Sequence, residues 1–302
     1  MERNRNFTEG KFPIDVLWMD IEWAQQYSEW DGYEYFFFNP QNFTDSEIEQ
    51  MNAEVEASDR HLTVIVDPHI KANDTYPVFA DGLKYEKNST SDNLVNVFVK
   101  AADLTTTYLG DCWPSTSAYI DFLNENAQSY WGSWFNYDKF RGSNSRYHFW
   151  NDMNEPSVFD TDSKTMPLDK MHCKADGSCY QHRDVHNAYG ALHSRSSFRG
   201  LLERDNNTLR PFVLTRSWHM GSQKFGAYWT GDNNAENSEV QGSMIMIIQN
   251  SIAGVHFGGA DIPGFGGEPT DDLYVQFYQM GIYYPFMRAH STLENQNREP
   301  WL

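Results

Sequence analysis

The sequence predicts an α/β protein built as a (β/α)8 TIM barrel, and three observations support this fold class. Seven short apolar runs alternate with helical or polar segments, as buried parallel strands and their crossovers do. Several connections are long and no Gly-rich phosphate loop is present, which favours a barrel over a doubly wound nucleotide-binding sheet. Each run ends in a charged or hydrogen-bonding residue: Asp20, Asp67, Asp152, Arg216, Asp232, Asp261 and His290. Because barrel chemistry collects at the carboxyl ends of the strands, the pattern predicts one shared polar pocket.

The first elements follow one another in the order that a barrel requires. A strand is predicted at 14–20 and a polar, aromatic loop at 23–44. Thr44 is a suitable N-cap for a helix at Thr44–Asp59, because its hydroxyl can accept an N–H of the first turn. The second strand is predicted at 62–66.

The middle of the chain contains a long polar excursion at about 71–111. It is rich in Asn, Ser, Thr and Asp, and we expect a short helix within it at Asp92–Ala102. A helix at Ala118–Tyr137 then leads into the strand that ends at Asp152.

A second excursion, at about 156–186, contains two of the three cysteines. Cys173 and Cys179 flank a turn-prone segment and can form a local disulfide in an oxidising compartment. A helix at His186–Arg204 and four strand-like runs follow. Five N-glycosylation sequons hint at the secretory pathway; they begin at Asn6, Asn42, Asn73, Asn88 and Asn206.

The predicted strand count is one short of a closed barrel. Seven strands would leave two unpaired edges, which barrel closure normally removes. The first predicted strand also starts only a few residues into the chain. We therefore expect residues 1–302 to be a catalytic barrel fragment that lacks the first strand.

Composition excludes several classes of partner. The 42 acidic and 23 basic residues of this 302-residue chain give a formal charge of -19. Such a surface repels nucleic acid and anionic lipid, and no apolar stretch approaches the roughly 20 residues of a membrane span. An aromatic content of 16% suits a carbohydrate enzyme, although a large aromatic core is an equally good explanation.

Two strand-end motifs carry the predicted chemistry. Asp152 lies in Phe149–Pro156, FWNDMNEP, and Asp232 lies in Tyr228–Asn233, YWTGDN. Glycoside hydrolysis requires two carboxyl groups, one ionised beside the anomeric carbon and one protonated beside the leaving oxygen. Two aspartates so far apart in sequence can meet across a barrel mouth if both follow strands, as they do here.

Segments along nearly the whole chain resemble glycoside hydrolase family 31, the retaining α-glucosidases. The QHRDVHN and REPWL segments look most like the catalytic α subunit of glucosidase II, which trims N-glycans in the endoplasmic reticulum. The other segments that carry the resemblance are WMDIE, VIVDPHIK, CWPS, WNDMNEPSVF, GSQKFGAYWTGDN, FGGADIPGF and FMRAHSTLENQNREPWL.

The resemblance assigns roles to particular residues. It places the nucleophile on Asp152 and the acid/base on Asp232, with Glu155 orienting its neighbours. Arg216 is expected to hold Asp152 ionised, and burial against Trp229 is expected to raise the pKa of Asp232. Retention of configuration implies carboxyl groups about 5–5.5 Å apart. The remaining expected substrate contacts are hydrogen bonds from Asp20, Arg216 and His290 and walls made by Trp113, Trp150, Trp229 and Phe265, with Asp261 nearby.

Each role has a structural alternative. Asp152 can be a turn or capping aspartate, and Asp232 an Asx turn. The trio of Asp20, Arg216 and His290 can form an ion-pair network under the rim, and the aromatic residues Trp113 and Phe265 can be loop anchors. The two remaining polar residues near the strand ends, Asp67 and His69, are interpreted as supports for neighbouring residues.

The resemblance implies hydrolysis of terminal α-linked glucose, with the α-1,3-linked glucoses of an immature N-glycan as substrate. It also implies the lumen of the endoplasmic reticulum and a glucosidase II β subunit as a partner. No cofactor is expected, and no metal, since HExxH or comparable spacing is absent. The alternatives are a lysosomal or secreted α-glucosidase acting on malto-oligosaccharides, and a catalytically silent glycan-binding protein.

Overall fold

The computed structural model describes residues 1–28 and 31–302, and its centre is a curled parallel sheet. The six strands follow chain order from one edge to the other, as successive βαβ units do. Their register sets Val64 beside Phe149 and Leu214 beside Trp150. These strands are β1 Val16–Met19, β2 His61–Ile65, β3 Tyr147–Asn151, β4 Val213–Thr215, β5 Ala227–Trp229 and β6 Gly258–Gly259.

Two further short strands, β7 Asp261–Ile262 and β8 Arg288–Ala289, pair in parallel with each other. The backbone N–H of Phe286 donates to the carbonyl of Gly258 at 3.1 Å, which ties this pair to the main sheet. Each of the seven predicted apolar runs therefore contains a strand, which confirms the alternating α/β pattern. The absence of the family's first barrel strand stays a prediction.

Seven α-helices occur in the described parts of the chain. The predicted helix cap at Thr44 is confirmed: the Thr44 hydroxyl accepts the N–H of Glu47, whose carboxylate accepts the N–H of Thr44. The predicted helix at His186–Arg204 is also confirmed, with an earlier start. The helices are α1 Glu2–Glu9, α2 Asp45–Ala57, α3 Pro77–Glu86, α4 Glu125–Ser133, α5 His182–Arg204, α6 Asn237–Ile252 and α7 Asp271–Gly281.

The helix predicted at Asp92–Ala102 is wrong, and the helix of this excursion is α3. Pro77 occupies its first turn, where the missing N–H costs nothing. The later segment is extended instead, because the Glu86 carboxylate accepts the backbone N–H groups of Val97 and Phe98. A long-range side chain, invisible to local pattern, decides this conformation.

The helix predicted at Ala118–Tyr137 is correct only over its central part, Glu125–Ser133. Its first residues belong to an antiparallel sheet made by His69–Lys71, Leu109–Cys112 and Ser115–Tyr119. The side chain of Asn124 accepts the N–H groups of Asn126 and Ala127, and this cap starts α4 after the strand has ended.

The predicted loop at 23–44 contains two short antiparallel strands, Ala24–Gln25 and Glu34–Phe38. Residues 29 and 30 of this loop lie outside the described part of the chain. Tyr35 and Phe36 are buried here, and Phe36 packs its ring among other aromatic side chains. Most of the aromatic surplus likewise fills the core, so composition alone was weak support for carbohydrate binding.

The second excursion is anchored by a covalent bond and by a chain of histidines. Cys173 and Cys179 form the predicted disulfide across the hairpin of Met171–Cys173 and Cys179–Gln181. Ring nitrogens then connect three histidines end to end, from His172 to His182 at 2.9 Å and from His182 to His186 at 2.8 Å. The buried carboxylate of Asp121 terminates this chain at His172 Nδ1. The excursion is thus fixed to α5 by side-chain contacts.

Over the described ranges, no helix is long and apolar enough to span a bilayer. The same part of the chain contains no group of three or more His, Cys, Asp and Glu side chains placed to hold a metal ion.

Candidate active site

The carboxyl ends of the strands bring the predicted residues to one edge of the sheet. Asp20 directly follows β1, Asp152 follows β3, Arg216 follows β4 and His290 follows β8. Asp232 lies three residues beyond β5, on a short loop that turns at Gly231. Parallel pairing therefore gathers side chains that are distant along the sequence.

Arg216 connects the two predicted catalytic aspartates. Its Nη1 lies 3.0 Å from Asp152 Oδ1 and 3.8 Å from Asp232 Oδ2. These two carboxylate oxygens are therefore no farther apart than the sum of the two distances. The predicted separation of about 5–5.5 Å lies within that limit and stays a prediction. The interpretation of Asp152 and Asp232 as unrelated turn residues gains no support from this arrangement.

The two aspartates differ strongly in exposure. The Asp152 side chain is 11% exposed, and its Oδ1 also accepts the N–H of Met153 at 2.7 Å. Burial raises the pKa of Asp152 above its usual range, while the charge of Arg216 opposes that shift. The Asp232 side chain is 49% exposed, which corrects the expectation that it is buried against Trp229. The loop beyond β5 carries Asp232 out toward solvent.

Glu155 holds Arg216 in place. Arg216 Nε donates to Glu155 Oε1 at 2.6 Å, and Ser157 donates its hydroxyl to Glu155 Oε2 at 2.6 Å. Burial alone would raise the pKa of Glu155, but Arg216 and Ser157 outweigh it and lower that pKa. Glu155 is therefore an ionised support for Arg216, as the orienting role requires.

Asp20 and His290 form a second polar pair, with 3.7 Å between Asp20 Oδ2 and His290 Nε2. Burial raises the pKa of Asp20 to about 7, although 40% of its side-chain surface stays exposed. Burial, together with the nearby charge of Arg288, lowers the pKa of His290. Near neutral pH the pair therefore interacts as hydrogen-bonding groups more than as an ion pair, which suits contact with neutral hydroxyls.

Aromatic side chains surround this pair at different depths. The ring of Phe265 lies 5.4 Å from the His290 ring, and Trp150 meets His290 edge to face at 5.2 Å. Trp150 and Trp229 are buried, so they form a floor beneath the pocket more than its walls. Trp113 is 42% exposed and packs edge-on against Phe159, and its contact with the sugar stays a prediction.

Asp261 lies beneath the site, which corrects the expectation that it contacts the sugar. Its side chain is fully buried and its Oδ1 accepts from Arg288 Nη2 at 2.6 Å. The guanidinium of Arg288 lies over the rings of Trp150 and Trp229, at 4.6 and 5.2 Å from their centres. Sequence reasoning missed Arg288, although a charged residue inside the apolar run YYPFMRAH signals a buried partner.

Replacing Arg288 with methionine should lower the free energy of unfolding by about 3–5 kcal/mol, since Asp261 would keep a buried, unpaired carboxylate. Urea unfolding followed by tryptophan fluorescence measures the change. The double variant Arg288→Met, Asp261→Asn serves as the control and should recover most of the loss. A single variant as stable as the wild type would contradict this account.

Two carboxyl groups facing one another at the carboxyl ends of parallel strands are the pair that glycoside hydrolysis requires. The sequence profile described as "Glycosyl hydrolases family 31 TIM-barrel domain" matches residues 1–302, and the chain belongs to this family. It is 39% identical to "Neutral alpha-glucosidase AB" of Dictyostelium discoideum over 305 residues, covering 99% of this chain and 29% of that protein. It is 40% identical over 299 residues to "Probable glucan 1,3-alpha-glucosidase" of Arabidopsis thaliana, covering 98% and 30% of the two chains.

Solved structures agree with these relatives. The glucosidase II alpha subunit with alpha3-Glc2 bound superposes with a TM-score of 0.88 at 39% identity, covering 99% of this chain and 30% of that one. A family 31 alpha-glucosidase from Bacteroides thetaiotaomicron gives a TM-score of 0.79 at 33% identity, covering 100% and 45%. The chain thus spans about 30% of the length of the curated relatives it matches.

Proposed function

We propose that this chain is the catalytic barrel of a retaining α-glucosidase that releases terminal α-linked glucose. The observation that carries the proposal is the bridge from Arg216 to both Asp152 and Asp232. A lectin has no need for two carboxyl groups on one guanidinium, one of them buried and the other half-exposed. The silent glycan-binding alternative is therefore weaker.

The two aspartates divide the reaction between them. Ionised Asp152, its charge supported by Arg216, attacks the anomeric carbon and forms a glycosyl ester. Protonated Asp232 gives its proton to the departing oxygen, and its exposure leaves room for the rest of the glycan. Asp232 then removes a proton from water, which cleaves the ester with net retention.

The other predicted residues bind the sugar in this proposal. Asp20 and His290 hydrogen-bond to hydroxyl groups of the terminal glucose, since neither needs to be charged near neutral pH. Phe265 stacks beside His290, and the exposed face of Trp113 contacts the ring. Trp150 and Trp229 shape the floor through their contact with each other at 5.6 Å.

We propose an α-1,3-linked glucose of an N-glycan as the natural substrate, in the lumen of the endoplasmic reticulum. The relatives named glucan 1,3-alpha-glucosidase and the glucosidase II alpha structures with alpha3-Glc2 and Glc1Man2 bound support this assignment. The disulfide fits an oxidising compartment. A solved heterodimer of glucosidase II with the binding domain of its regulatory subunit supports a β subunit as partner.

Comparing nigerose, which is α-1,3-linked, with maltose, which is α-1,4-linked, tests the linkage. We expect kcat/KM to be at least about tenfold higher for nigerose, a difference of about 1.4 kcal/mol in transition-state binding. Glucose release measured by a coupled assay gives the ratio, with p-nitrophenyl α-glucoside as a linkage-independent control. A preference for maltose would favour the malto-oligosaccharide alternative, and binding without turnover of any substrate would favour the lectin.

A further inference from the structure

A fully buried polar cluster lies beside Asp152 and has no part in the reaction as described. Its members are Tyr35, Asp67 and His69, each completely buried or nearly so. The Tyr35 hydroxyl donates to Asp67 Oδ2 at 2.7 Å, and His69 Nε2 lies 3.4 Å from the same oxygen. His69 Nε2 is also 3.3 Å from the Tyr35 oxygen. Burying three polar side chains together needs a reason, because each loses its hydration.

Strand register places this cluster next to the nucleophile. Ile65 pairs with Trp150, and the N–H of Val66 donates to the Trp150 carbonyl at 2.8 Å. Asp67 lies two residues beyond Ile65, and Asp152 lies two residues beyond Trp150. Both aspartates are therefore at the carboxyl ends of neighbouring parallel strands. The negative charge of Asp67 accordingly adds to the effect of burial in raising the pKa of Asp152, and it acts on Asp20 in the same direction.

This position creates an electrostatic problem for a nucleophile that must be ionised. An isolated carboxylate at position 67 would repel the charge that Asp152 requires. Among the described residues, His69 is the one basic side chain within salt-bridge distance of Asp67. The carboxylate of Asp67 therefore needs its neutralising charge from this imidazole.

The surroundings of His69 favour its protonated form. Burial lowers the pKa of His69, but the Cys112 sulfur and the Asp67 carboxylate outweigh that effect and raise it above the ordinary value. The other titratable groups that face the ring are Tyr119, at 6.1 Å between ring centres, and His193, whose own pKa is lowered by burial and by the charge of His69. With its pKa raised, His69 carries its positive charge at neutral pH and loses it only in more alkaline solution.

We infer that Asp67 and His69 form a buried carboxylate–imidazolium pair, held by the Tyr35 hydroxyl, whose near-zero net charge allows Asp152 to ionise at neutral pH. The inference rests on the proposed role of Asp152 as nucleophile. Asp67 and His69 act on the reaction through Asp152 and touch no substrate, so they are positioning residues. Removing one charge of the pair should then disturb Asp152 in one direction, and removing the other charge should disturb it in the opposite direction.

The acid limb of the kcat/KM profile against pH tests this sign reversal, because it reports the ionisation of the free enzyme's nucleophile. His69→Gln leaves the charge of Asp67 uncompensated and should move the midpoint of the acid limb to higher pH by about one unit. Asp67→Asn leaves His69 without its counter-charge and should move that midpoint to lower pH. The double variant should return near the wild-type position. Tyr35→Phe is the matched control: it removes a hydrogen bond but no charge, so its acid limb should move least.

A merely structural role would lower the rate in every variant without moving the limb in opposite directions. Single variants that shift the limb the same way, or not at all, would overturn the inference.

A second measurement separates this inference from the proposed function. Nitrogen-15 NMR of the histidine-labelled wild-type protein should show both ring nitrogens of His69 protonated near pH 7.5. This readout needs no activity and, for the wild type, no variant that must fold. A neutral His69 in an active wild-type enzyme refutes the pair and leaves the proposed function intact. A protonated His69 in a protein with no glycosidase activity supports the pair and refutes the proposed function.

Discussion

Replacing Asp152 with asparagine is expected to lower kcat/KM for p-nitrophenyl α-glucoside by about 10⁴-fold or more, as losses of central catalytic groups do. The amide cannot form the glycosyl ester, and it offers no negative charge to Arg216 Nη1, which lies 3.0 Å from Asp152 Oδ1. Initial rates at saturating and limiting substrate measure the loss. Because Asn is nearly isosteric with Asp, the fold should be retained and circular dichroism should be unchanged.

The matched control for this variant is Asp162→Asn, an exposed aspartate in the loop that follows the same motif. It changes the net charge by the same amount and should leave turnover within about twofold of the wild type, since exposed substitutions have small effects. Asp152→Asn with turnover similar to this control would remove Asp152 from the mechanism.

Replacing Asp232 with alanine should give a loss that depends on the leaving group. For nigerose, whose leaving oxygen needs a proton, kcat/KM should fall by about 10²–10⁴-fold. For α-glucosyl fluoride, which needs no protonation to depart, formation of the glycosyl ester should be much less affected. The 49% exposure of Asp232 means that its loss creates no core cavity, so unfolding should stay near wild type.

Azide provides the second half of this test. A small anion can occupy the space left by the Asp232 carboxyl group and attack the ester on Asp152, giving α-glucosyl azide with retained configuration. Equal losses for nigerose and the fluoride, with no rescue by azide, would show that Asp232 is not the acid/base. Formation of the β-azide would contradict the retaining mechanism.

The proposed catalytic pair was predictable because each aspartate is marked by a local motif. Asp152 and Asp232 each follow a strand whose last residues include a buried tryptophan, Trp150 and Trp229. Arg216 was predictable for the same reason, since it directly follows the apolar run that becomes β4. Motifs of this kind specify which residues meet, since parallel strands share one carboxyl edge.

What the sequence did not specify depends on partners far along the chain. The residue pattern after Asp92 predicted a helix, but the segment is extended because the Glu86 carboxylate accepts its backbone N–H groups. Asp261 looked like a pocket residue because its partner, Arg288, lies 27 positions away in a different apolar run. The exposure of Asp232 depends on where the loop after β5 places its side chain relative to the solvent. The residue pattern does not indicate that placement.

The contacts of the Arg216 guanidinium restrict which residue can replace it at this position. Three nitrogens on one flat group are used here: Nε for Glu155, Nη2 also for Glu155, and Nη1 for the aspartates. A lysine would bring equal charge but a single nitrogen, so it would have to choose among these partners. The rigid guanidinium therefore sets the distance between the loop after β3, which carries Asp152 and Glu155, and the loop after β5, which carries Asp232. We expect a residue without that width to change this distance.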